Sequence, residues 1–158
     1  TSDSSVAAVS GWRGAWNRYA DRCAAWIGVD ALALIARVAL AAIFYYSGRT
    51  KVEGFLTVTD GAVALFRDEF KLPLLSPAVA AHLAAYAEHL FPLLLLLGLF
   101  TRLSALALLG MTLVIQIFVY PEAWWTVHAL WVAMALQLVT RGAGNLSFDR
   151  LLRRTEAA

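Results

Sequence analysis

The side chains of this chain that could do chemistry are charged residues set inside apolar stretches. Glu88 stands in the middle of residues 78–100, which contain no Lys or Arg, and Arg37 interrupts a second apolar stretch. A charge in apolar surroundings costs several kcal/mol unless it has a partner. We therefore predict a buried ion pair between Arg37 and Glu88. Such a pair either locks two helices in register or keeps a carboxylate ionised for proton exchange or ligand contact.

A second set of polar residues is predicted to lie near one surface. At about 1.5 Å per helical residue, Arg37, Glu88 and His89 lie roughly 15 Å deep, and the remaining polar groups lie roughly 4 to 7 Å from the outer end of their helices. We expect a ligand pocket of the kind that a quinone needs, and no catalytic residue. Its predicted lining is Tyr45, His82, Glu88, His89, Gln116 and His128.

A metal or haem site is the alternative use of the histidines. His82, Gln116 and His128 together offer metal ligands, and His82 with His128 offers a pair of axial haem ligands. A single histidine in a helix more often hydrogen-bonds a neighbouring group. No metal site is predicted for this reason.

The elements that position these residues are four apolar segments, residues 31–47, 78–100, 103–120 and 124–140. A helix of about 20 residues crosses the roughly 30 Å hydrocarbon layer of a bilayer. The second, third and fourth segments are joined by two and three residues, which makes them antiparallel neighbours. The predicted fold class is an all-α integral membrane protein, with an antiparallel four-helix transmembrane bundle over residues 31–140.

The flanking regions are predicted to lie at the membrane surface. Residues 1–30 form an amphipathic segment whose aromatic face either rests on the bilayer or docks a partner subunit. The loop at residues 48–77 contains a short helix, begun by Thr59 or Asp60 and ending near Phe70, which is either a surface helix or a lid over a ligand pocket. Residues 141–158 form a tail, in which Gly142 and Gly144 stop a helix. The aromatic face consists of Trp12, Trp16, Tyr19, Cys23, Trp26 and Ile27.

Composition limits the class of protein and its location. The 158 residues are 61% hydrophobic, which is too apolar for an ordinary soluble domain, and a net charge of +2 without a basic run argues against nucleic-acid binding. Cys23 is the only cysteine, which excludes an internal disulfide and a Cys-rich cluster. No cleavable signal is predicted from the polar start. The positive-inside rule places both termini in the cytoplasm, because eight basic residues fall on their side and four on the other.

The order and spacing of several residues resemble a known family. Residues 35–152 resemble the DoxX family of small four-helix bacterial membrane proteins, although Pro92 stands where the family often has a glycine. The resemblance implies a bacterial inner-membrane location, a respiratory or quinone-linked setting, and larger protein subunits as partners. The matching residues are Arg37, Gly48 and Lys51 in SGRTK, then Glu88, Gly98, Thr101 and Arg102, and finally Gly142, Gly144, Ser147 and Asp149.

The first functional hypothesis is therefore a membrane subunit of a quinone-linked redox complex that offers a quinone or quinol pocket. It is not expected to be catalytic alone, since no residue supplies an electron carrier. The alternative is a purely structural accessory subunit without a ligand. A small transporter ranks lowest, because four short helices without internal repeats leave little room for alternating access.

Overall fold

The computed structural model describes residues 3–156 of the chain and the side chains of residues 11–25 and 27–152. Within that part, four helices are long and apolar enough to cross a membrane, namely Ile27–Arg49, Pro77–Leu97, Thr101–Phe118 and Pro121–Arg141. These spans confirm the four predicted apolar segments, with ends that differ by a few residues.

The first helix, α1, runs over Asp3–Arg49 and contains one residue of non-helical conformation, Gly28 (φ 62°, ψ 150°). A positive φ of this kind is readily adopted by glycine, which lacks a Cβ. Gly28 therefore separates the N-terminal part of α1 from the part that is long and apolar enough to cross a membrane. Trp12, Trp16 and Tyr19 are exposed, and the side chain of Trp26 lies outside the described part. The contact of this face with a membrane stays a prediction.

The spanning helices form a closed ring of neighbours. Helix α1 packs against α3 (Pro77–Leu97) and α5 (Ala129–Arg141), and α4 (Thr101–Phe118) packs against the same two helices. Helix α5 is preceded by a 3₁₀ turn at Pro121–Ala123 and a π-helical turn at Trp124–His128. Small residues in the core, such as Ala41 and Ala105, let the helices approach closely. The core consists of Ala36, Leu40, Ala41, Phe44, Leu95, Ala105, Leu108, Ala135 and Leu138.

One end of the bundle, here called the loop end, carries residues 50–76. Strands β1 (Val52–Glu53) and β2 (Thr57–Val58) form a small antiparallel hairpin. Helix α2 (Asp60–Leu65) follows, with the Thr59 hydroxyl accepting from the Ala62 N–H, and a π-helical turn continues it over Phe66–Phe70. The predicted short loop helix and its Thr59 cap are therefore confirmed.

The loop helix presents an apolar side and a solvated side. Phe66 and Phe70 pack towards Ala80 and Ala81 of α3. Arg67 and Asp68 are exposed and bond to each other, which lowers the pKa of the Asp68 carboxyl. The aromatic side of this segment therefore covers part of the bundle, and its charges stay in solvent.

The opposite end, here called the terminal end, is closed by residues 142–149. Gly142 (φ 79°) stops α5, which confirms the helix-stop interpretation of this glycine. Asp149, at the start of α6 (Phe148–Glu156), accepts from the backbone N–H groups of Phe100 and Thr101 at 2.8 and 3.0 Å. Asp149 therefore caps the first turn of α4, where a carboxylate is favoured by unpaired N–H groups and the helix dipole.

Candidate functional site

The buried charges at the centre of the bundle are Glu88 and Lys51. The Lys51 ammonium lies 2.7 Å from a carboxylate oxygen of Glu88, and the two residues are 6% and 2% exposed. Lys51 also donates to the backbone carbonyl and the hydroxyl of Ser47, at 3.1 and 2.9 Å. An ammonium has three N–H donors, so these three bonds use all of them.

The predicted Arg37–Glu88 ion pair is wrong. The guanidinium of Arg37 donates to four backbone carbonyls at 2.7 to 2.9 Å. Two of these carbonyls end α3, where the last turn of a helix has no intrahelical partners and carries partial negative charge. The four acceptors are the carbonyls of Leu95, Leu96, Ala143 and Leu146.

The reason for this error is the direction in which helical side chains lean. Each Cα–Cβ bond in a helix tilts towards the N-terminus of that helix. Because α1 and α3 are antiparallel, Arg37 reaches towards the terminal end and Glu88 reaches towards the loop end. A count of depth along the axis does not contain this information. It therefore placed the two charges at one level, although their side chains diverge.

A cavity of about 420 Å³ lies beside the Lys51–Glu88 pair, between α3 and α4, and is here called the α3–α4 cavity. Ser47, Lys51 and Glu88 supply its polar inner end. Two of its wall residues, Leu83 and Val114, are 56% and 41% exposed, so the cavity opens on the outer surface of the bundle between the two helices. Its apolar wall includes Phe66, Phe70, Ala84, Ala87, Gly110, Met111 and Ile115.

The loop helix contributes to this cavity through its aromatic side. Phe66 and Phe70 stack edge to face at 4.9 Å, and Phe70 also contacts the ring of Tyr120. The sequence left two interpretations open, a surface helix or a lid. The position of these rings on the cavity wall favours the lid.

The six residues predicted to line one pocket are not brought together, and that prediction is wrong for five of them. Glu88 alone among the six lines the α3–α4 cavity. His82 is exposed and bonds through Nδ1 to the carbonyl of Ala78 in its own helix. Tyr45 stacks edge to face on His89, whose Nδ1 donates to the Ala85 carbonyl.

Gln116 and His128 form a separate polar contact near the loop end. The Gln116 amide donates to the Pro121 carbonyl, and its oxygen lies 2.7 Å from Nδ1 of the buried His128. Because the amide nitrogen faces a carbonyl, its oxygen must accept from Nδ1. Gln116 therefore holds the π-helical turn against α4. Within the described residues, no three His, Cys, Asp or Glu side chains are placed to hold a metal ion.

The functional residue that the sequence reasoning missed is Lys51. Its position four residues after Ser47, at the end of a span, made it look like a flanking charge that sets orientation. The available signal was the pairing of a helix-terminal lysine with a carboxylate deep in the next helix, since a lysine stem reaches several ångströms along an apolar surface.

Two comparisons with known proteins bear on this arrangement. The sequence model of the DoxX family matches residues 32–121, which include Arg37, Lys51 and Glu88. The chain belongs to the DoxX family. It is also similar to an uncharacterized protein of Haemophilus influenzae, with 34% identity over 81% of this chain and 87% of that protein. No solved structure matches this chain.

Membership of the DoxX family makes the chain a multi-pass membrane protein in contact with lipid. Among the described residues of this bundle, two cationic side chains bond to α3. Arg37 bonds to the C-terminal end of α3, and Lys51 bonds to Glu88 in the middle of that helix. The second contact borders open apolar space. The arrangement can therefore hold the polar head of an apolar molecule that enters from the bilayer.

Proposed function

We propose that this DoxX-family protein binds a quinone or quinol in the α3–α4 cavity, as a subunit of a respiratory or quinone-linked redox complex. The observation that carries the proposal is the combination of an apolar cavity with a buried Lys51–Glu88 pair at its inner end. Ligand sites are typically cavities of roughly 300 to 1,000 Å³ with apolar walls and a few placed polar groups. The volume of about 420 Å³ falls within this range.

The route of entry also supports a lipid-soluble ligand. The exposed wall residues Leu83 and Val114 lie on the outer surface of the bundle, where a spanning helix contacts acyl chains. A quinone supplies two-electron, two-proton chemistry when it is bound. The chain itself positions the head group beside Glu88 and excludes water with Phe66 and Phe70. In this proposal the electrons are exchanged with a partner subunit that holds the electron carriers.

A cavity-filling variant tests this proposal without altering the charges. A Cβ at Gly110 would have nothing within 4 Å, and Gly110 lines the cavity, so Gly110→Leu places a side chain in the open space. Gly11→Leu is the matched control, because Gly11 is equally free of neighbours but lies in the N-terminal part of α1. Each protein is purified in a mild detergent, extracted with organic solvent and analysed for quinone by mass spectrometry.

Stoichiometric quinone in the wild-type protein and in Gly11→Leu, with a loss of at least tenfold in Gly110→Leu, is the expected result. Equal quinone in all three preparations would show that the co-purified molecule sits elsewhere. No quinone in any of them, even after incubation with excess ligand, would contradict the proposal and favour the accessory-subunit role.

The accessory-subunit role has one observation in its favour, the exposed aromatic face of the N-terminal part of α1. Trp12, Trp16 and Tyr19 are each more than half exposed, which is unusual for such large rings without a partner or an interface. Arg13 and Arg18 flank this face, so it also suits the headgroup region of a bilayer. Single-cysteine variants on this face can be cross-linked. Cross-links to lipid would indicate contact with the bilayer, and cross-links to a co-purified protein would indicate a docking face.

We further propose that the terminal end of the bundle faces the cytoplasm of a bacterial inner membrane. The support is the charge count, in which the side chains of Arg153 and Arg154 lie outside the described part. Cys23 gives a direct test as the only cysteine. A membrane-impermeant maleimide should label Cys23 only after spheroplasts are permeabilised, whereas Glu53→Cys in a Cys23→Ser background should be labelled in intact spheroplasts. The reverse pattern would invert the topology.

A further inference from the structure

The hydrogen-bond donors at the inner end of the α3–α4 cavity are already used. The three N–H groups of Lys51 go to the Ser47 carbonyl, the Ser47 hydroxyl and Glu88. The Ser47 side chain is also hydrogen-bonded to Glu88, and a hydroxyl facing a carboxylate is the donor. A ligand that reaches this end therefore meets no free donor on Lys51 or Ser47.

Acceptor capacity remains, and it belongs to Glu88. Lys51 and Glu88 form an ion pair at 2.7 Å, in which Glu88 is the carboxylate. A carboxylate offers about four lone-pair positions, and the bonds from Lys51 and Ser47 occupy two of them. The remaining polar side chain on the wall is Tyr120, which is 43% exposed and stacked on Phe70 at the rim. Tyr120 is thus placed at the mouth and not at the inner end.

We propose that the α3–α4 cavity selects apolar ligands whose head group donates a hydrogen bond to Glu88, so that a phenol or quinol binds in preference to an ether or quinone. This inference rests on the proposed function and adds the polarity of the recognised head. The physical reason is the asymmetry of hydrogen bonding in a dry site. A carbonyl head finds no donor there and faces a carboxylate, whereas a hydroxyl forms a charge-assisted bond.

A matched pair of probes isolates this one hydrogen bond. We would measure the binding of 4-nonylphenol and its methyl ether, 4-nonylanisole, to the full-length protein in lipid nanodiscs by equilibrium dialysis. The two probes share the alkyl chain and ring and differ in the donor. The phenol is expected to bind at least tenfold more tightly, since a hydrogen bond to a charged group is worth about 1.5 to 3 kcal/mol. A reduced and an oxidised short-chain quinone should show the same order.

The variants separate failure of the inference from failure of the proposed function. Gly110→Leu should weaken the binding of both probes, because it fills the cavity. Glu88→Gln should abolish the preference for the phenol, because its amide has one acceptor oxygen and adds donors. If this variant does not fold, the affinities of the two probes for the wild-type protein still test the inference. Equal or reversed affinities, with both lost in Gly110→Leu, would overturn the inference and leave the pocket. If neither probe binds, the inference and the proposed function are both overturned.

Discussion

Removing Lys51 should destabilise the protein more than removing both members of its ion pair. Lys51→Met leaves the Glu88 carboxylate, 2% exposed, without its cation, and breaking a buried pair in this way costs about 3 to 5 kcal/mol. Glu88→Gln keeps the shape of the side chain but leaves the Lys51 ammonium, 6% exposed, without its counter-charge. Its cost should be about 3 kcal/mol, at the lower end of that range, because the amide oxygen can still accept from Lys51. The double variant buries no charge here and should cost about 3 kcal/mol, which gives a coupling of about 4 kcal/mol between the two sites.

Arg37 should show no such coupling to Glu88. In Arg37→Met the carbonyls of Leu96, Ala143 and Leu146 lose a donor, whereas the Leu95 carbonyl keeps the Gly98 N–H. The Ala143 bond is buried and the other two are partly buried, so at about 1 kcal/mol for a buried acceptor left unpaired and less for the others, the loss is about 1 to 3 kcal/mol. Arg37 and Glu88 share no hydrogen-bond partner. Their effects should therefore add to within about 0.5 kcal/mol.

Both double-mutant cycles can be measured by reversible unfolding in mixed micelles with an increasing fraction of dodecyl sulfate, followed by far-ultraviolet circular dichroism. The control is Glu53→Gln, an exposed carboxylate on β1, which should leave the midpoint unchanged. A coupling above about 1 kcal/mol between Arg37 and Glu88, together with additive effects of Lys51 and Glu88, would refute the assignment of partners. Such a result would restore the pair that axial depth predicts.

Three other substitutions, two of them paired with a control variant, test the packing around the site by the same unfolding assay. Gly48→Ala should cost about 1 to 3 kcal/mol through overpacking, because its Cβ would lie 2.9 Å from atoms of Glu88 and the neighbouring histidine ring, whereas Gly110→Ala should be tolerated. Equal effects of the two would contradict the close approach at Gly48. Asp149→Ala should cost about 1 to 2 kcal/mol by removing the cap of α4, and a neutral result would show that the cap contributes nothing. Gln116→Leu should cost about 1 to 3 kcal/mol, because it leaves the buried N–H of the His128 ring unpaired. His82→Leu should change the stability little, because His82 is exposed. A larger cost for His82→Leu would contradict the different burial of the two histidines.

The spans and their connections could be predicted because length and apolarity decide them. A run of about 20 apolar residues has few alternatives in a bilayer, and a connection of two or three residues forces antiparallel neighbours. The Thr59 cap was equally readable, since a hydroxyl followed by a helical stripe satisfies an N–H within the same few residues. These features depend on interactions that are local in sequence.

The polar partners could not be predicted from depth because they depend on direction and reach. Glu88 was correctly expected to be buried with a cation. The sequence offers Arg37 on the first span and Lys51 in the loop that follows it, and axial depth does not choose between them. The choice between them is made by the tilt of each side chain and by carbonyls at the end of α3 that no residue type reveals. His82 failed for a related reason, since its face of α3 points away from the neighbouring helices.

The two cations together explain where the bundle opens. Arg37 fastens the C-terminal end of α3 to α1 and to residues 143–146, and Lys51 fastens its middle to the end of α1. Among the described side chains, no comparable bond joins α3 to α4, and the cavity lined by Gly110 lies between them. Helix α3 is therefore held on its α1 side and left open on its α4 side. The Glu88 carboxylate, which Lys51 stabilises in the interior, then borders the space that a lipid-soluble molecule can enter. The same ion pair therefore keeps Glu88 buried and places it where it can accept a hydrogen bond from the proposed ligand.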